Sequence, residues 1–241
     1  HVLDFIAEQT EQWLDDVFRG ALGAVMVGFS NYSYEPSLGR RVSAGKEEIL
    51  DADVAGVVAA KLRQMATDIA QLQLQLASLD SIPSARVIGR SFLNHSSEVA
   101  PKSVDFLITS PPYLNNYHYI RNTRPHLFWL GLVEHTKGLK GMEQENFGKY
   151  WQTVRTGPEL ALDFEDKALV ELLAVLRSRN EEKGVYGGSG WANYAVAYFN
   201  DCLKFSEAAH KAMKRGGTAV VVIGNNILQG IEFRTDEIFA G

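Results

Sequence analysis

Four consecutive residues, Ser110-Pro111-Pro112-Tyr113, have the types and order to hold a planar amine. Two successive prolines fix φ and remove two backbone donors, so the neighbouring carbonyls face a site without a competing amide; the residue before each proline is held extended. The Ser110 hydroxyl oxygen and the Pro111 carbonyl can each accept one of the two N–H bonds of an exocyclic amino group, and the Tyr113 ring can stack on the ring that carries it.

The elements that must position this loop are legible on either side of it. Val104–Thr109 is an apolar run closed by proline, which reads as a central strand of a parallel sheet covered on both faces. The loop then leaves the carboxyl edge of the sheet, where open α/β sheets bind their ligands. Far downstream, the helical pattern Trp191–Arg215, with Gly216-Gly217 as its stop, leads into a second apolar strand, Thr218–Ile223, and then Gly224-Asn225-Asn226.

Ser-Pro-Pro-Tyr after a hydrophobic strand resembles the catalytic motif of DNA methyltransferases that modify cytosine N4 or adenine N6. The longer string TSPPYLNNYHYIRNTRPHLFWLG is similar to the version in prokaryotic DNA modification methylases, and residues 191–226 resemble their fifth-strand region. The resemblance implies an α/β fold: a Rossmann-like methyltransferase sheet with helices on both faces, here with a helical N-terminal layer. It implies S-adenosylmethionine as cofactor, and double-stranded DNA with a flipped target base as partner. Ser110, Pro111, Pro112 and Tyr113 take the catalytic positions. Serine at the first of these leans toward cytosine N4 over adenine N6. The resemblance also leaves room for a restriction or defence-system partner. Methylation at C5 of cytosine needs a cysteine nucleophile, usually just after a proline; the single Cys202 lies in a helical context and reads as a buried core thiol.

Candidate DNA contacts follow the loop: Asn115, Asn116 and Tyr117, then Arg121 and Arg124 interleaved with aromatics, a pattern that suits a splayed base and its phosphates. Arg40 and Arg41, beside Tyr32 and Tyr34, are candidates for phosphate contacts. His118 and His126 lack acidic or cysteine partners at ligand spacing, so no metal site is expected.

Cofactor-binding residues are not assigned. The strand expected over Ala85–Gly89 is followed by Arg90, where methylases of this kind often carry an acidic residue near the cofactor's adenine. Gly184–Gly190 is rich in glycine but lacks the Lys-Ser/Thr of a phosphate loop and a preceding strand, and reads as a flexible hinge or lid. The chain opens on His1 and stops in what reads as the first turn of a helix, so it is expected to be a fragment whose glycine-rich cofactor turn lies elsewhere.

Composition bounds the rest. The 241 residues are 46% hydrophobic and 22% charged, an ordinary soluble composition. No apolar run is long enough for a membrane span and no leader opens the chain, so a cytoplasmic protein without membrane association is expected. A net charge of −5 is the wrong sign for holding DNA by bulk electrostatics. The apolar face over Val2–Phe18 predicts one helix, and Glu47–Leu79 a long one. Val58, Leu62, Met65, Ile69, Leu72, Leu76 and Leu79 form an a/d seam there, which serves self-association or packing on the first helix. Two regions result: a helical layer over 1–80, and an α/β catalytic region over 81–241 with a polar insertion at about 134–190 that includes a helix over Asp163–Arg179.

A non-catalytic nucleic-acid-binding or assembly subunit that kept the fold is the alternative, favoured by the acidic charge and the missing glycine-rich turn. Methylation of RNA or protein amide groups is a third.

Overall fold

The computed structural model describes residues 2–34, 38–94, 98–114 and 118–241. The chain divides into two compact units: residues 1–86 with Tyr119–Thr136, and Val87–His118 with Lys137–Gly241.

The first unit is helical. The face read over Val2–Phe18 is split between α1 (Val2–Ala7) and α2 (Gln12–Val25). A short antiparallel pair, β1 (Tyr32–Ser33) and β2 (Gly39–Arg40), precedes the long α3 (Val54–Leu76). Helix α3 starts later than Glu47 because that segment is drawn into loop pairing. Asn31 bonds both backbone groups of Ile49, and Arg41 Nε donates to the Glu47 carbonyl. Asp53 then caps the helix by accepting the Gly56 N–H at 2.8 Å. The seam is used in its first half only. Ile6, Ala21, Leu22, Met26 and Val58 form a core with Leu62 and Met65 packed against it, whereas Ile69 and Leu72 are about half exposed. The unit is completed by α4 (Tyr119–Trp129), which returns Leu130 to the same core. Arg19 ties this helix's end to α2, with Nη1 donating to the Leu130 carbonyl at 2.7 Å and Nε to Asp15 at 2.6 Å.

The second unit is mixed α/β. It holds β3 (Val104–Thr109), α5 (Thr136–Glu145, which starts at the unit boundary), α6 (Trp151–Val154), α7 (Lys167–Arg177) and α8 (Gly188–Ala212). These are followed by β4 (Met213–Val221), β5 (Asn226–Leu228), β6 (Ile231–Phe233) and α9 (Thr235–Ala240). Helix α8 is the spine. Its Tyr194, Val196, Tyr198, Phe199 and Cys202 are buried with Leu169, Leu173 and Leu176 of α7, one turn apart, and with Leu114, Leu228 and Phe233. Its buried Asn193 and its Asn200 bond the backbone of 154–163, so this polar stretch is fastened to the spine through amide side chains. Buried Asp201 accepts the Gly148 N–H and pairs with Lys149 at 3.1 Å and Lys204 at 3.4 Å.

Strands β3 and β4 pair in parallel, with Phe106 opposite Thr218, Ile108 opposite Val220 and Thr109 opposite Val221. Parallel neighbours need a long crossover, here the whole stretch from Ser110 to Ala212. The expected multi-stranded sheet is, among the described residues, this pair plus the small antiparallel pair β5–β6. The expectation of burial on both faces also fails: Phe106, Ile108, Val220 and Val222 are largely exposed, Ile108 by 70%, because among the described residues no helix covers that face.

Three further expectations are corrected. Ala85–Gly89 forms no strand, since among the described residues no other segment pairs with it, and Val87 is exposed. Gly216-Gly217 does not end the helix, which stops at Ala212; it lies in a bulge of β4 where Gly216 has φ +82° and Lys214 binds both carboxylate oxygens of Asp105 across the ladder. Of Gly184–Gly190, the first three residues belong to a 3-10 turn over Glu181–Tyr186, in which Gly184 has φ +55°, and Gly187–Gly190 form the packed start of α8. A Cβ at Gly188 would lie 1.7 Å from the Leu176 carbonyl oxygen, and one at Gly190 2.1 Å from that of Val185, so glycine here permits close packing.

Candidate active site at the ends of two parallel strands

The ladder continues past β4 through a bond from the Val222 N–H to the Thr109 carbonyl at 2.9 Å, so both strands reach their carboxyl ends together. From one end emerges Ser110–Tyr113, from the other Gly224–Asn226. They meet: a Cβ at Gly224 would lie 3.2 Å from Cδ2 and Cε2 of Tyr113, so the ring edge rests on a residue without a side chain. Tyr113 keeps 38% exposure, enough to present ring surface for stacking.

The loop is pinned from below and behind. Pro111 and Leu114 are buried, Leu114 fully, in the core around α8. The wholly buried Tyr198 donates its hydroxyl to the Pro112 carbonyl at 3.0 Å. The Ser110 hydroxyl and the Pro111 carbonyl have no hydrogen-bond partner among the described residues; Ser110 is exposed, Pro111 is buried, and the Pro112 carbonyl is held by the core. At the far side of 115–117, His118 Nε2 lies 2.6 Å from Glu143 Oε1, both side chains mostly buried, with the Tyr150 ring 3.7 Å from the imidazole.

Burial pushes the Tyr198 hydroxyl far above the usual phenol range, with the nearby Cys202 thiol adding to the rise. Burial likewise pushes the Cys202 thiol up to about 12. Both are therefore neutral at physiological pH, and Cys202 carries no thiolate for attack on a base. The thiol stands one turn beyond the hydroxyl on α8.

Sequence reasoning missed Tyr198, which nothing but its place on a buried helical face distinguishes. It also missed Asn226, whose Oδ1 is buried at this same edge without a partner, while Asn225 Oδ1 accepts the Asp236 N–H. The other predicted residues lie as follows. Asn115, Asn116 and Tyr117 fall outside the described residues. Arg121 and Arg124 are exposed one turn apart on α4, in the first unit. Arg40 faces Glu48 at 3.8 Å, and Arg41 is engaged with the Glu47 carbonyl, in that unit also. Ser110–Tyr113 belong to the second unit. The first unit has an apolar cavity of about 570 Å³ walled by Leu22, Met26, Phe29, Val54, Pro125 and Trp129; no predicted site residue lines it.

Among the described residues no group of three or more His, Cys, Asp and Glu side chains is placed to hold a metal ion, and no helix is long and apolar enough to cross a membrane. The chain matches no protein-family model, and no curated protein or solved structure matches it.

Proposed function

We propose that this chain carries the base-holding part of an S-adenosylmethionine-dependent DNA methyltransferase acting on an exocyclic amino group, cytosine N4 before adenine N6. The observation that carries the reading is the meeting of Tyr113 with Gly224 at the carboxyl ends of two adjacent parallel strands, the edge at which open α/β sheets bind ligands. Ser110 Oγ and the Pro111 carbonyl accept the two N–H bonds of the amine, which draws its nitrogen toward tetrahedral geometry and localises the lone pair. Tyr113 stacks on the flipped ring. The residues' contribution to rate is positioning and electrostatics, without a covalent intermediate. The β3–β4 pair then belongs to the middle of a larger Rossmann-like sheet, consistent with its uncovered apolar face. Such an enzyme works in the cytoplasm.

The described residues do not fit a complete cofactor site. The glycine-rich stretch Gly187–Gly190 is filled by the backbone carbonyls of Leu176, Asn180 and Val185, and the ends of β3 and β4 supply one wall only. No step is therefore assigned to the donor. The same observation favours the second reading, a nucleic-acid-binding or assembly subunit that retains part of the fold.

Methylation assays on unmethylated DNA with the full-length gene product test the first reading. Ser110→Ala is expected to cut turnover by roughly tenfold or more, the scale of one lost transition-state contact. Tyr113→Phe is expected to be milder than Tyr113→Ala. Unchanged turnover in both Ser110→Ala and Tyr113→Ala removes the platform from catalysis.

A further inference from the structure

The second unit contains a cation, Arg155, that makes no ion pair among the described residues. Arg155, just after α6, places its guanidinium carbon 4.4 Å from the centre of the Trp151 ring and 4.5 Å from that of Tyr186. Those two rings meet edge to face at 5.8 Å, and Trp191 stacks on Trp151 at 4.9 Å, so the guanidinium sits in a corner of aromatic surface. Its stem is fixed as well: a Cβ at Gly190 would lie 3.0 Å from Arg155 Cβ. A side chain held this way has already lost its rotamer freedom.

What the corner lacks is an acceptor. Among the described residues no carboxylate lies within ion-pairing distance of Arg155, although Arg177 meets Glu159 at 3.2 Å and Lys214 meets Asp105 at 2.7 Å. Its one polar contact is a long one, Nη2 to the Tyr186 hydroxyl at 3.4 Å. Arg155 Nε and Trp151 Nε1 are both buried and unpaired. Each is a donor. Two orphan donors and an uncompensated positive charge on neighbouring side chains call for an oxyanion, since an unpaired buried donor costs about 1–3 kcal/mol. Tyr186, the ring on the other side of the guanidinium, is 57% exposed, so this side of the corner borders solvent.

We propose that Arg155, with Trp151 Nε1, is a phosphate-binding site of the second unit. A planar guanidinium fork in a fixed orientation matches the oxygens of a phosphate group. The source is either a phosphodiester of the DNA backbone or a free polyphosphate; only the first choice rests on the proposed function.

The test is binding of the 241-residue chain to a short labelled DNA duplex across a salt series, and separately to inorganic tripolyphosphate, with acetate as competitor. In Arg155→Met, which keeps the apolar stem, affinity for whichever probe the wild type binds is expected to fall about tenfold, the scale of a lost charged hydrogen bond. If that probe is the duplex, the slope of log affinity against log salt is expected to drop by about one. Trp151→Phe, which keeps an aromatic ring and removes the donor, is expected to weaken binding severalfold at a temperature where circular dichroism shows the variant folded. A purely structural corner responds to neither substitution in binding. Arg155-dependent binding of tripolyphosphate alone keeps the site and identifies free phosphate as its source. Arg155-dependent duplex binding in a protein that never methylates DNA keeps the site and sinks the proposed function. Unchanged affinities in both variants, equal displacement by acetate, or no binding of either probe by the wild type overturns the proposal.

Discussion

The hydroxyl of Tyr198 donates to the carbonyl of Pro112 across 3.0 Å, joining the middle of α8 to the Ser110–Tyr113 loop, the proposed amine platform. Tyr198 lies in a packed core that also holds Cys202 and Leu114. Tyr198→Phe leaves the packing intact and strands a carbonyl. The expected loss of stability is about 1–2 kcal/mol in urea denaturation. Under the proposed function, methyl-transfer turnover is expected to fall further than in an equally destabilised variant elsewhere on α8. Equal turnover losses in the two variants would mean that the bond serves the core alone.

Alkaline conditions act on the same contact. Cys202 and Tyr198 are both held neutral in the fold, with proton affinities raised above their unfolded values, Cys202 from 9.0 to about 12. Between those values the unfolded chain has released its thiol proton and the folded chain has not. Stability is therefore full below about pH 9 and declines as pH rises, by about 1.4 kcal/mol per pH unit for each such group. Cys202→Ser, whose hydroxyl does not titrate in this range, is expected to flatten the decline between pH 9 and 10 by about 1 kcal/mol, the share of a thiol half ionised in the unfolded chain at pH 9. Identical slopes for wild type and variant between those pH values would contradict the assignment.

The packed start of α8 makes a prediction opposite to that of a hinge. Gly188→Ala places a Cβ 1.7 Å from the Leu176 carbonyl oxygen, a clash with backbone that no rotamer relieves. The expected cost is about 2–3 kcal/mol or more, read as a fall in denaturation midpoint with unchanged slope. A wild-type midpoint would restore the reading of Gly184–Gly190 as a mobile segment.

What was legible in the sequence was local. Val104–Thr109 reads as a strand because its apolar run is stopped by proline, and the structure places it at those residues, parallel to the strand that ends before Gly224. The spine helix was visible over Trp191–Arg215, but its limits moved to Gly188 and Ala212. The glycines that seemed to stop it belong to a bulge, and those that seemed to loosen its start let two backbones touch. Neither distinction is local: each depends on which carbonyl, Asp105's for Gly217 and Leu176's for Gly188, arrives from elsewhere in the chain. Tyr198 was invisible for the same reason, since its partner lies 86 residues away. Ala85–Gly89 failed in the other direction, having strand-forming residues and no neighbour to pair with.

The most direct test of the central claim is nucleoside analysis of DNA from a methylation-deficient host that expresses the full-length gene product, with Ser110→Ala in parallel. The account predicts N4-methylcytosine in the wild type and its loss in Ser110→Ala. N6-methyladenine alone, equally dependent on Ser110, would keep the amine platform and change the base. DNA without any methylated amine, or with the same level in wild type and Ser110→Ala, would contradict the account.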